Sequence, residues 1–264
     1  MKKVLLVGIV LALLTLLACN QEDESTTIKI GATPVPHAEL LNLVIDDLKD
    51  QGITLEVVEF TDYVTPNIAL SDGEIDANFF QHQPYLDEFA GERGLDLTSI
   101  GSVHVEPLGL YSSKYSSIDE LPEGAEIAIP SDSVNGGRAL ILLESHGLIE
   151  LRSDAGLKAT EDDIVTNTRN LKFVPVEAAQ LPRVLEDLDA SIINGNYALE
   201  AKLNPSKDAL ILEGSESPYT NIVVVRSDEI KNEALLAVIN ALQSDEVKDY
   251  IQNNYGGGVV EAFN

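Results

Sequence analysis

The chain has 264 residues, 44% of them hydrophobic, and carries 44 acidic against 17 basic side chains for a net charge of −27. That length admits two modest domains or one large one, and the apolar content argues for a globular fold. A surface this acidic repels nucleic acid and anionic lipid head groups, so neither is expected as a direct partner; a lone cysteine, Cys19, leaves no intrachain disulfide.

Lys2 and Lys3 precede an apolar run over 4–17 that ends in Leu16-Leu17-Ala18-Cys19. Basic start, short apolar stretch and small residues at its end read as a signal peptide over 1–18, too short for an ordinary membrane span. The last four residues match a bacterial lipobox, which predicts acylation of Cys19 and a lipid-anchored protein facing the extracytoplasmic side. The alternative is a plain signal peptide with an incidental cysteine. The polar segment 19–26 then reads as a tether. Loss of Lys2 and Lys3 would leave about −29, a solvated acidic coat. Met1 is the one methionine and there is no tryptophan.

Segment 27–32 (TIKIGA) predicts a strand, 38–50 a helix with Leu40, Leu41, Val44, Ile45 and Leu48 on one face, and 53–60 a second strand. This βαβ order marks an α/β sheet with ligands at the carboxyl ends of its strands, where Tyr63 falls. A short helix over 66–70 follows. The stretch 73–86 (GEIDANFFQHQPYL) then places two Phe beside Asn78, Gln81, His82 and Gln83. No ordinary core strand needs four such polar groups, so one wall of a small-molecule pocket is expected here. Adjacent strand residues face opposite ways, so at most one of Phe79 and Phe80 can face a cleft. His82 is either a ligand donor or a satisfied structural histidine.

Strands are predicted over 98–105 and 108–111, and a composition shift over 112–122 reads as a crossover into a second lobe. There, 126–130 is a strand and 134–144 a helix capped by Asp132 or Ser133. Further on, 171–176 is a strand, 178–187 a helix and 190–193 a buried strand opening onto Asn194-Gly195-Asn196-Tyr197. Loop surrounds a short strand over 209–212, and 219–226 (YTNIVVVR) is a strong strand and the return crossover. Ser227 is expected to cap a helix to 243, and Ser244 another to 254. The expected fold is α/β, two-lobed and periplasmic-binding-protein-like, with a ligand cleft between lobes and two crossover segments. Lobe 1 would hold 27–111 plus 226–264, and lobe 2 would hold 112–225.

Arg138 falls in the first turn of its helix, where backbone amides favour an anion and a guanidinium fork suits a carboxylate. The competing reading is an exposed arginine paired with one of the many acids. Asn194 and Asn196 are ligand contacts or tight-turn residues. Asn221, inside an apolar strand, needs buried partners. No nucleophile elbow, Walker loop or dinucleotide fingerprint is present, so neither an enzyme nor a cofactor is expected. His37, His82, His104 and His146 are scattered, which leaves a metal-binding lipoprotein as an alternative from another class.

The blocks DANFFQHQPYL, VHVEPLGLY (103–111), NGGRAL (135–140), EAAQLPRVL (177–185) and IINGNY (192–197) together resemble the methionine-binding lipoproteins of the MetQ/NlpA family. These are the substrate-binding subunits of methionine ABC importers. The resemblance spans essentially the whole chain after the tether. It implies L-methionine as ligand, with an ABC permease and its ATPase as partners. It further implies Tyr63 and Phe80 as an aromatic cage for the thioether, with His82 as a polar contact. Arg138 would take the carboxylate, Asn196 and Asn221 would hold the amino-acid head, and Tyr197 and Asn135 would stand behind them. Another amino acid or a methionine-containing dipeptide is the alternative ligand. The run Pro130-Ser131-Asp132-Ser133-Val134-Asn135 departs from the Pro-Asn-Asp-Pro-Thr-Asn common among relatives, but Asn135 and Arg138 keep their places.

Overall fold

The computed structural model describes residues 25–214 and 217–263. The predicted signal peptide and Cys19 lie outside the described residues. Among those described, no helix is long and apolar enough to cross a membrane.

In chain order the first half holds β1 (Thr26–Ala32), α1 (Glu39–Leu43), α2 (Ile45–Asp50), β2 (Ile53–Glu59), α3 (Thr65–Ser71), β3 (Ala77–His82), α4 (Gln83–Arg93) and β4 (Leu97–Val105). The helix expected over 38–50 is two helices, because the backbone leaves helical geometry at Val44 (φ −97°, ψ 5°). The apolar stripe survives the break: Leu40, Leu41, Val44 and Leu48 are all buried. The α4 helix has no sequence counterpart in the expected elements. Its signal is hidden because His82, rather than Ser or Asp, caps it, accepting the Tyr85 amide at Nδ1 (3.2 Å). Gly94 in the left-handed region (φ 63°) ends it.

The second half continues with β5 (Gly109–Tyr111), β6 (Glu126–Pro130), α5 (Ser133–Ser145), a small pair β7 (Glu150–Leu151) and β8 (Ile164–Thr166), then β9 (Lys172–Val176) and β10 (Ala190–Ile193). The α6 helix (Gly195–Glu200), α7 (Pro205–Asp208), β11 (Ile211–Leu212), β12 (Thr220–Arg226), α8 (Glu233–Leu242), α9 (Asp245–Asn254) and β13 (Val260–Glu261) complete it. The helix expected over 178–187 shrinks to one tight turn, Ala178–Gln180. Pro182 offers no amide to Ala178, and its ring opposes a continued helix. Asn232, not Ser227, caps the next long helix, accepting the Ala234 amide (3.0 Å).

Besides the β7-β8 pair, two large sheets result, in the strand orders β13-β4-β12-β3-β1-β2 and β11-β5-β10-β6-β9. In each, the central βα units are parallel and the returning strands antiparallel. The pairing moves both lobe limits inferred from sequence. β5 pairs with β10 and β11, so it belongs to the second sheet, while β12 lies between β3 and β4 in the first. The chain therefore changes sheet at Glu106–Leu108 and again between Leu212 and Thr220, not at 112 and 226. Composition misplaced these points because β5 and β12 are both apolar runs that either sheet could bury. Each sheet has its own apolar core, around Ile30, Phe79 and Val223 in the first and Ile127, Leu140 and Ile192 in the second.

A candidate ligand cleft between the sheets

The carboxyl ends of β2, β3, β4, β6 and β10 converge between the two sheets. A cavity there is lined by Tyr63, Phe80, His82, Tyr85, Glu106, Asn135, Arg138, Asn194, Asn196 and Asn221, among others. All six sequence-selected ligand residues are among these, and the cleft is shut over them: Arg138 is 3% exposed and Asn196 2%.

The apolar wall comes from the first half. β3 is buried along its whole length, so its alternation separates two interiors instead of core from solvent. Phe79 packs into the first core, while Phe80 lies with Tyr63 (ring centroids 5.9 Å apart) and Tyr85 (6.2 Å). Tyr197 closes on Tyr63 from the other side at 5.0 Å. Asn78, which looked like part of the wall, is not on it; Gln81 does line the cavity, but its amide is tied into the same cluster. Asn67 accepts from Asn78 (2.8 Å) and from Gln81 (2.7 Å) and donates back to the Gln81 carbonyl (2.8 Å), and Gln81 also donates to Asn78 (2.9 Å). That buried amide cluster is satisfied within itself.

His82 is held in one tautomer. Its Nδ1 accepts the Tyr85 amide, so Nε2 carries the proton and donates to Asn135 Oδ1 (3.1 Å). Burial, and then the Arg138 charge, push its pKa down to about 3, so the ring is neutral. Asn135 is the hub of the second half. Its Oδ1 also accepts from Asn194 (2.9 Å), and its own amide donates to Asp132, whose carboxylate caps α5 through the Asn135 backbone N–H (2.8 Å). The Gly-Gly after it is a packing requirement. A Cβ on Gly137 would sit 2.4 Å from the Leu157 carbonyl, so only glycine lets α5 approach that backbone.

Arg138 is occupied, not open. Nε donates to Glu213 Oε1 (3.0 Å), and Nη2 donates to Glu213 Oε2 and to the Glu106 carbonyl (2.9 Å). Its guanidinium lies 4.3 Å over the Tyr219 ring. One side chain thus fastens both places where the chain changes sheet. Asn196 Oδ1 accepts the Tyr63 hydroxyl (2.5 Å), while its Nδ2, buried, has no partner among the described residues. Asn221 Oδ1 is turned to His37 Nε2 (3.1 Å).

Glu106 and Glu213 are the functional candidates that sequence reasoning missed. Glu106 follows the carboxyl end of β4 inside an apolar run, the position that drew attention to Tyr63 and Asn194, and that placement was its one available signal. Glu213 is one acid among 44 and carried none. Two scattered histidines meet at Glu106: Oε1 is 2.7 Å from His104 Nε2 and 3.2 Å from His37 Nε2. Burial raises the Glu106 pKa and lowers those of His37 to about 4 and His104 to about 3.

These three residues are the one group among the described residues with the donor proximity a metal needs. The groups around them fit a hydrogen-bonded carboxylate better. To ligate through Nε2, His104 would have to carry its proton on Nδ1, a buried atom with no acceptor, whereas metal-bound histidines almost always donate that proton. With both imidazoles neutral, His104 Nε2–H donates to Glu106 and His37 Nε2–H donates to Asn221 Oδ1 beside it, while the Thr33 hydroxyl donates to His37 Nδ1 (2.7 Å).

The NlpA lipoprotein family model matches residues 28–263. The chain belongs to this family. It is 41% identical to the D-methionine-binding lipoprotein MetQ of Escherichia coli K12 over 261 residues, 97% of this chain and 96% of that one. A solved nutrient binding protein from Burkholderia cenocepacia, bound to methionine, superposes with a TM-score of 0.87. It is 44% identical and covers 89% of this chain and all of its own. A periplasmic substrate-binding protein of an ABC transporter from Coxiella burnetii gives 0.85 at 42% identity, over 89% of this chain and 100% of its own. The fold of this NlpA-family chain is therefore that of the periplasmic substrate-binding proteins, two α/β halves about a ligand cleft.

Proposed function

We propose that the protein binds methionine in the cleft between its two sheets and delivers it to the permease and ATPase of an ABC importer, held at the cell membrane by a lipid on Cys19. The observation that carries this reading is the junction of an aromatic wall with a buried guanidinium in one closed cavity, in a chain 44% identical to a methionine-bound relative. A thioether is apolar and polarisable and suits the rings of Tyr63, Phe80 and Tyr85. The zwitterionic head needs charge partners where water is excluded, and Arg138 with the unpaired Asn196 amide supplies donors for the carboxylate. Asn221 stands beside the head group, and His82 keeps Asn135 in place from the opposite half.

Titration calorimetry with a panel of free amino acids should give methionine the tightest binding, and comparing its two enantiomers fixes the stereochemical preference. Arg138→Ala should weaken methionine by roughly 1.5–3 kcal/mol, the worth of a hydrogen bond to a charged group. Heat from another amino acid with none from methionine would sink the substrate; an unchanged affinity in the variant would move the carboxylate site.

A further inference from the structure

The charges around the cavity do not balance as a carboxylate pocket alone would. Glu213 engages Arg138 through two nitrogens, so most of the cationic charge is already neutralised inside the protein. Glu106, 5% exposed and on the cavity wall, adds a second carboxylate. A ligand bearing only an anion would bring a third negative charge into a closed, water-poor space that holds one guanidinium. Such a charge is costly unless it is paired.

We infer that Glu106 is the residue that recognises the ligand's α-ammonium, with His37 and His104 as positioning residues that hold its carboxylate at the cavity wall. The inference rests on the amino-acid reading above and names the part of the site that selects a free amine. The geometry supplies the match. Arg138 bonds the backbone carbonyl of the same residue whose side chain is the anion, so cation and anion lie within one residue of each other. The two charges of an α-amino acid are likewise separated by a single carbon. Both histidines approach Oε1, and neither lines the cavity. The carboxylate has room to lie there because residue 195 is glycine: a Cβ at Gly195 would stand 2.7 Å from Glu106 Cβ and 3.4 Å from Oε2.

Asn196 and Asn221 then take supporting parts. Asn196 lines the cavity beside Glu106, one residue after the glycine that Glu106 packs against, and Asn221 shares His37 with it. Neither amide carries the charge that would distinguish an ammonium from a neutral group of the same shape.

The test compares methionine with 4-(methylsulfanyl)butanoate, which lacks only the amino group, by calorimetry on the intact binding protein. The wild type should prefer methionine by roughly 30-fold or more, the range expected for a hydrogen bond to a charged group. Glu106→Gln should weaken methionine while leaving the deaminated acid unchanged or tighter, because a repelling carboxylate has gone. A merely structural role would weaken both ligands together. Equal affinity of the wild type for the two acids overturns the inference without any variant, even where Glu106→Gln fails to fold. A variant that keeps the wild-type preference overturns it as well. Wild-type protein that takes up no methionine sinks the amino-acid reading, and the ammonium assignment with it.

Discussion

Two buried polar clusters, one on α3 and β3 and the other on α5 and the turn from β10 into α6, have opposite characters. Asn67, Asn78 and Gln81 donate to and accept from one another until no side-chain nitrogen or oxygen of theirs is left buried and unpaired. Around Asn135, Asn194 and Asn196 the bonds do not close: Asn194 Oδ1 and Asn196 Nδ2 are buried without partners among the described residues. Composition cannot separate the clusters, since both are asparagine- and glutamine-rich and fully interior. Satisfaction separates them. A closed cluster fixes the fold, and an open one keeps polar atoms available to a further molecule.

Acid should separate them most strongly, because amides do not titrate in this range and the cleft side carries three buried neutral histidines. The pKa values of His37, His82 and His104 are depressed from 6.5 to about 4, 3 and 3. The stability these rings contribute is complete above pH 6.5 and is lost as the pH falls from there towards 4 and 3, a change of several kcal/mol by linkage. Glu106, raised by burial, acts in the opposite sense as it takes up its proton and offsets part of the loss. Thermal unfolding followed over this window should show a steep fall in Tm, and replacing His104 by Gln should flatten it. A level profile from pH 6.5 to 4 would contradict neutral burial of the imidazoles.

Asn67→Ala attacks the closed cluster. It strips Gln81 Oε1 of its partner in the interior, for a loss of roughly 1–3 kcal/mol in denaturant unfolding. Methionine affinity should stay within about twofold, since an internally satisfied network lends nothing to a ligand. Asn196→Ala, in the open cluster, has the smallest expected effect and, unlike Asn67→Ala, reaches binding. It should cost about 0.5–1.5 kcal/mol of binding, because the lost Nδ2 had no protein partner, and a comparable amount in stability, because the Tyr63 hydroxyl loses its acceptor. A variant pair with these two signatures exchanged would erase the distinction.

How much of this was legible follows the same line. Strands bounded by Pro or Asn, 126–130 and 190–193, were readable to the residue, because apolar runs with clear stops leave little choice. α4 was not, since His82 serves as its cap and its first residues look like pocket wall. The choice of Phe80 over Phe79 came from family resemblance; alternation limited the candidates to one and could not pick which. Asn78 was misjudged as wall, and Gln81, though on the wall, spends its amide elsewhere, for want of one fact: Asn67, eleven residues before Asn78, folds back onto them. Glu106 and Glu213 matter through partners brought from 69 and 75 residues away, His37 and Arg138, and no local pattern encodes those meetings.

The hydrogen bonds that join the halves over the cavity are made by the protein alone: Tyr63 to Asn196, Tyr197 to the Thr61 carbonyl (3.3 Å), His82 to Asn135, and Lys158 to Glu88 (2.8 Å). The bound molecule therefore does not supply all the free energy that keeps the halves together. Measured affinity then contains a population factor, the fraction of molecules in the competent arrangement, as well as the contacts to the cargo. Lys158 and Glu88 do not line the cavity, yet any separation of the halves would have to part them. Through such a pair the residence time of the cargo can be lengthened or shortened without changing any group that touches it.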